Sequence, residues 1–192
     1  MENTCLFSDQ TKHYLCCFYQ ILDEMAQGLA TAKLTQSISH NAIVQLLPHH
    51  RAAVRMSRNL IAGCENRAVC RLAQRVLEQR ADAMDQLEAA LPESGQPVNP
   101  QLDLRLCQRR MDLIGREMLT QMGAAPEGNR LGAVYLQELL PHCQGGARMA
   151  RSALRYEVSP ELEPILRTIA AQQCRDAAQA RTLLRRMGCQ TA

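Results

Sequence analysis

Apolar residues return every three or four positions along nearly the whole chain, the spacing of one buried stripe on an α-helix. Tyr14, Phe18, Ile21, Met25, Leu29 and Ala32 mark a first helix over residues 9–32. Ile38, Ala42, Leu46, His49, Ala53, Met56 and Leu60 mark a second over 36–62. A third, over 66–91, follows from Leu72, Val76, Gln79, Ala83, Leu87 and Ala90. The stretch from Pro92 to Pro100 is dense in helix breakers and reads as a linker. Beyond it the same spacing predicts helices over 101–123, 130–156 and 160–188. Asn129 and Ser159 fall where N-caps belong, and Gly123 and Gly188 where helices stop. Pro164 would remove a ladder hydrogen bond from a helix interior, so the last helix is expected to begin near Glu163.

The second set of helices repeats the first. At a spacing of 93 residues Ile21 falls on Ile114, Glu24 and Met25 on Glu117 and Met118, and Arg55 and Met56 on Arg148 and Met149. The block Leu46-Leu47-Pro48-His49 falls on Leu139-Leu140-Pro141-His142 in the same register. One inserted residue before the last helix, a spacing of 94, brings Gln79 and Asp82 onto Gln173 and Asp176. This predicts an internal duplication: a three-helix repeat over 1–93, a linker over 94–100 and a second repeat over 101–192. Each half, under about 100 residues and nearly free of aromatic residues, is expected to be marginal alone. The expected architecture is therefore all-α, one compact bundle of about six helices with its halves related by a pseudo-twofold axis.

Composition narrows the function classes. The 192 residues are 46% hydrophobic but only 3% aromatic, with no Trp, which suits helices packed through aliphatic and Met side chains. Basic residues number 22 against 19 acidic, a net charge of +3, and all but Lys12 and Lys33 of the basic residues are Arg. They are scattered among Glu and Asp, so no nucleic-acid footprint is expected. No stretch approaches the ~18 apolar residues of a membrane span, and the start of the chain does not resemble a secretory leader. Nine cysteines cannot all pair and fit no zinc spacing, so reduced and mostly buried thiols in a cytoplasmic protein are expected. A homodimer is compatible with all of this and is specified by none of it.

The chemistry concentrates at two prolines. Pro48 and Pro141 each interrupt a helical pattern, at a cost of roughly 3 kcal/mol, and each stands directly before a histidine. A kink there re-aims His49 and His50 in one half and His142 in the other, where Cys143 occupies the place of the second histidine. Two segments carry a recognisable pattern: Leu47-Pro48-His49-His50 through Met56, and Leu140-Pro141-His142-Cys143-Gln144-Gly145-Gly146-Ala147 through Met149 and Ala150. Each is followed by a later helix with Gln-x-x-Asp, at Gln79 and Asp82 or at Gln173 and Asp176. In these motifs the chain resembles the bacterial family known as domain of unknown function 305. The resemblance implies a ferritin-like helical bundle, and a link to copper in the His- and Met-rich members. This chain departs from those members in lacking a methionine-dense first helix, in Cys143, and in carrying Asp for Glu in the late helix.

Three readings of these residues follow. In the first, His49, His50, His142 and Cys143 bind a transition metal, with Met56 and Met149, and Met25 and Met118, on neighbouring stripes. Such donors suit a soft ion such as copper(I). In the second, Glu24 and Glu117 with Glu138 and His142 approximate a di-iron carboxylate site, although Glu138 and His142 are four apart and not three, and the first half offers only Gln45. In the third, the histidines bond to the carbonyls freed by the prolines or to Gln79 and Gln173. Asp82 and Asp176 then complete a structural polar layer. No nucleophile elbow, phosphate-binding glycine loop or acid–base carboxylate pair is present, so a non-enzymatic protein is the expectation.

Overall fold

The computed structural model describes residues 7–189. It contains α1 (Asp9–Ala30), α2 (Ile38–Ile61), α3 (Arg67–Ala90), α4 (Gln101–Gly123), α5 (Leu131–Ala153) and α6 (Leu162–Arg186), with no strand among the described residues. No helix among them is long and apolar enough to cross a membrane. The helices form three layers of two. At the centre α2 packs on α5; α1 and α4 cover one side, and α3 and α6 cover the other.

The sequence explains most of the helix ends. The Ser8 hydroxyl accepts from Thr11 N, and the Asn66 side chain accepts from Ala68 N and Val69 N, satisfying first-turn donors. The linker supplies the cap of α2: Asn99 Oδ1 accepts from Ile38 N while Asn99 Nδ2 donates to the Glu157 carbonyl. That one asparagine ties the start of α2 to the α5–α6 turn. Helix α6 starts at Leu162, so Pro164 falls in the first turn, where no ladder bond is lost. At its far end Gly188 adopts a φ of +72°, and Cys189 N donates to the Leu184 carbonyl in a Schellman closure. Asn129 does not cap α5. Arg130 holds the cap position, and Asn129 Oδ1 accepts instead from Ser8 N.

Burial repeats along the chain at a spacing of 93. Six of the seven buried positions of α3 (Val69, Ala73, Val76, Arg80, Ala83 and Leu87) have a buried residue 93 positions on, in α6. At 94 only three of the seven, Leu72, Val76 and Ala83, fall on buried positions of α6. The inserted residue expected from the Gln-x-x-Asp match is therefore not needed. The inward positions of α3 are Arg80 and Ala83, not Gln79 and Asp82.

The cysteines also depart from expectation. Cys64, just beyond α2, is bonded to Cys70 in the first turn of α3, with Cα atoms 5.9 Å apart. Cys107 and Cys143 are buried free thiols, Cys16 is exposed, and Cys5 lies outside the described residues. The all-reduced state expected from the cysteine spacing is replaced by one short staple across the α2–α3 turn.

Candidate functional site

Two apolar clusters fill the interior, one on each side of a polar layer. One contains Ala53, Met56 and Leu60 of α2 with Val69, Leu72 and Val76 of α3 and Ala180 and Leu184 of α6. The other contains Ile38, Ile43 and Leu46 of α2 with Ala83 and Leu87 of α3 and Leu166 and Ile169 of α6. Between them lie His49 and His50 of α2, Arg80 of α3, His142 of α5, and Gln173 and Asp176 of α6, all buried. Each of α2, α3, α5 and α6 changes from apolar to polar and back at this level.

The histidines that follow Pro48 and Pro141 meet between α2 and α5. His49 and His142 stack face to face, their rings 3.8 Å apart and within 13° of parallel. His50 meets His49 edge-on at 5.4 Å. His49 Nε2 donates to the backbone carbonyl of His142 at 3.1 Å, and His50 Nδ1 donates to the Leu46 carbonyl at 2.8 Å. Because a carbonyl only accepts, His49 carries its proton on Nε2 and His50 on Nδ1. Neither acceptor is a carbonyl freed by a proline. Gly146 makes this packing possible: a Cβ there would strike the ring of His49 and the amide of Gln173. Burial holds all three imidazoles below their ordinary range, His49 at about 4, and the nearby Arg80 charge acts in the same direction. They are neutral rings.

The charge of the layer lies elsewhere. Arg80 Nη2 donates to Asp176 Oδ2 at 2.7 Å, both side chains being almost wholly buried, and Arg75 reaches Asp176 Oδ1 from the half-exposed rim at 3.1 Å. Burial pushes the Cys143 thiol up to about 12, partly offset by Arg80 beside it. Ser57 and Tyr135 share a buried hydrogen bond of 2.8 Å. Tyr14 donates to Glu138 at 2.5 Å, and burial raises the Glu138 carboxyl well above the usual range. Arg80 and Tyr135 are absent from the residues that sequence patterns single out, and Tyr14 enters only as a position of the first apolar stripe. A signal for Arg80 existed: it lies four residues after Val76 and three before Ala83, on the apolar stripe itself. Gln79 takes that place in the sequence-based stripe because arginine is rarely fully buried.

The other candidates are dispersed. Glu24 and Glu117 lie at the surface, paired with Arg55 and Arg148, two ion pairs repeated at the spacing of 93. Met56 and Met149 are buried in different apolar clusters. Gln79 is half-buried and Asp82 exposed, so of the four expected layer residues only Gln173 and Asp176 belong to it.

A metal ion is not a good fit to this arrangement. An imidazole binds through a lone pair in its own plane, and two planes stacked 3.8 Å apart give His49 and His142 no common point at bonding distance. His49 Nε2 is engaged, the Cys143 thiol is held protonated, and the Arg80 cation shares the layer. Among the described residues no group of three or more His, Cys, Asp or Glu could hold a metal ion.

No curated protein matches this chain. A crystal structure of a DUF305 fragment from Deinococcus radiodurans is similar in fold, with 22% identity and a TM-score of 0.57 over 78% of this chain and 96% of that one. The family described as Domain of unknown function (DUF305) matches residues 39–184, from the first turn of α2 across the linker to the last turns of α6. The six-helix protein, with its histidine layer inside the matched segment, belongs to the DUF305 family.

Proposed function

We propose that this protein is a non-catalytic helical interaction scaffold and that its buried His/Arg/Asp/Gln layer is architectural. The observation that carries this reading is the stacked pair of His49 and His142, closed by the bond from His49 Nε2 to the His142 carbonyl. That contact joins α2 to α5 through neutral rings, and Arg80 with Asp176 joins α3 to α6 beside it. Polar partners buried between two apolar clusters fix which helices meet and in what register. The recurrence of burial at 93 supports a gene duplication behind this layout, within the ferritin-like ancestry that the family resemblance implies. The Cys64–Cys70 bridge favours an oxidising setting over the cytoplasmic one suggested by the sequence.

A second reading, copper or iron bound at His49, His50, His142 and Cys143, draws on one feature. His50 Nε2 and both ring nitrogens of His142 are buried without a protein partner. Metal content separates the two. Protein purified without chelator and titrated with copper(I), zinc and iron(II) is expected to hold less than stoichiometric metal, and the His49→Ala/His142→Ala variant to melt lower with the same content. Stoichiometric metal in the wild type that the variant loses would overturn the scaffold reading.

A further inference from the structure

The outer face of α4 carries leucines that the bundle does not bury. Leu102, Leu106 and Leu113 follow one another at helical spacing and are 57%, 48% and 47% exposed. Single apolar residues on a surface need no explanation, but a row of them marks a contact surface. Leu106 and Leu113, with Tyr156, line an open groove of about 590 Å³ between α4 and the end of α5.

The rest of that groove is arginine. Arg109 and Arg110 enter it from α4, and Arg151 and Arg155 from the end of α5 and the turn after it; no carboxylate lines it. Arg148 on the rim is neutralised by Glu117, but the other four form no ion pair among the described residues. Burying apolar side chains beside uncompensated guanidinium groups favours a partner that is apolar along one stripe and acidic along its edges.

The repeat shows that the fold does not require this surface. Ninety-three residues earlier, the places of Leu102, Leu106 and Leu113 are held by Asp9, His13 and Gln20, and those of Arg109 and Arg110 by Cys16 and Cys17. Helix α1 packs on α2 as α4 packs on α5, without leucine or arginine on its outer face. Charge is divided in the same sense: residues 1–93 carry nine basic against ten acidic side chains, and residues 94–192 thirteen against nine.

We propose that the α4–α5 groove docks an acidic amphipathic helix of a partner protein, its apolar stripe against Leu106, Leu113 and Tyr156 and its carboxylates on Arg109, Arg110 and Arg155. The row from Leu102 to Leu113 is about 16 Å long, three helical turns, at the usual rise per residue. A concave floor between two helices accepts a rod with inserted side chains better than it accepts a flat lipid surface. The proposal builds on the reading of this chain as an interaction scaffold and adds the chemistry of what it binds.

The test uses the full chain and a labelled peptide of about 18 residues that repeats leucine on one helical stripe with glutamate on both flanks. Fluorescence anisotropy is expected to show a Kd in the micromolar range that weakens at least about tenfold when salt rises from about 50 to 300 mM. The variants Arg109→Glu/Arg110→Glu and Leu106→Glu/Leu113→Glu are each expected to lose at least about tenfold in affinity while melting like the wild type, because all four side chains are exposed. The same peptide with lysine for glutamate is expected not to bind. Four results would each overturn the proposal: no binding of the acidic peptide below about 1 mM, equal binding by the charge-reversed variant, preferential binding to phosphatidylserine vesicles, or self-association of the free chain that Leu106→Glu abolishes. None of these residues belongs to the histidine layer. A failure here therefore leaves the metal titration to decide the scaffold reading separately.

Discussion

The two halves of this molecule share a pattern of burial and differ in what they place at its centre. On the surface the two are alike: Arg55 with Glu24 and Arg148 with Glu117 are matching ion pairs 93 residues apart. Inside, the matching positions are unlike. Arg80 corresponds to Gln173, Ala83 to Asp176, and His50 to Cys143. The buried pair Arg80–Asp176 therefore takes one partner from each half and has no second copy. A symmetric centre would repeat the Arg80–Asp176 pair between positions 173 and 83 and so bury twice the charge. The asymmetry confines charge to one complementary pair and leaves neutral His49 and His142 to meet across the centre. The lesson is that the apolar pattern sets the fold of each half, whereas the polar residues tie one half to the other.

Removing one side of the buried pair breaks the comparison most severely. Asp176→Ala leaves Arg80 charged and uncompensated, and is expected to cost about 3–5 kcal/mol in urea unfolding. Arg80→Met/Asp176→Leu, which removes both charges, should recover most of that loss. If Asp176→Ala cost no more than a surface substitution, Arg80 and Asp176 would not tie the halves together.

Acid should weaken the layer next. Each buried histidine has a folded value below its unfolded one, so the unfolded chain binds protons more readily. Stability is then lost as pH falls below about 6.5, and the loss continues towards about 4 for His49. Glu138 opposes this. Its folded value is raised, so its contribution is present below its unfolded value near 4.5 and is lost as pH rises through the folded one. Three histidines against one carboxyl leave a net loss of stability as pH falls from about 7 towards about 5. Urea unfolding across that range measures it, and an unchanged midpoint would mean that the imidazoles are not held neutral.

The repeated surface pairs should matter least. Glu24→Ala and Glu117→Ala are each expected to cost under about 1 kcal/mol, and about the same as one another, because exposed pairs are screened and mobile. A difference of more than about 1 kcal/mol between them would show that the outer layers of the two halves are not equivalent in energy.

The six helices among the described residues and the linker were legible in the sequence because each rests on local spacing. Apolar recurrence marks a helix whatever it packs against, and Pro48 and Pro141 mark their own helices. The layer itself was only half legible. Gln173 and Asp176 stood out, but Gln79 and Asp82 were matched to them by identity, one residue out of the burial register. Arg80 was hidden because its burial depends on Asp176, a partner 96 residues away that no local pattern announces. The pairing of Tyr14 with Glu138 was hidden in the same way, across 124 residues.

The protonation of the three imidazoles tests the architectural layer most directly. Long-range proton–nitrogen NMR on histidine-labelled protein should show His49 protonated at Nε2 and His50 at Nδ1. His49 should titrate only towards about pH 4 and His50 below the ordinary imidazole range, and none of the three should shift on addition of copper(I) or zinc. Imidazoles that titrate near 6.5, or whose nitrogens shift together with one equivalent of metal, would contradict the account.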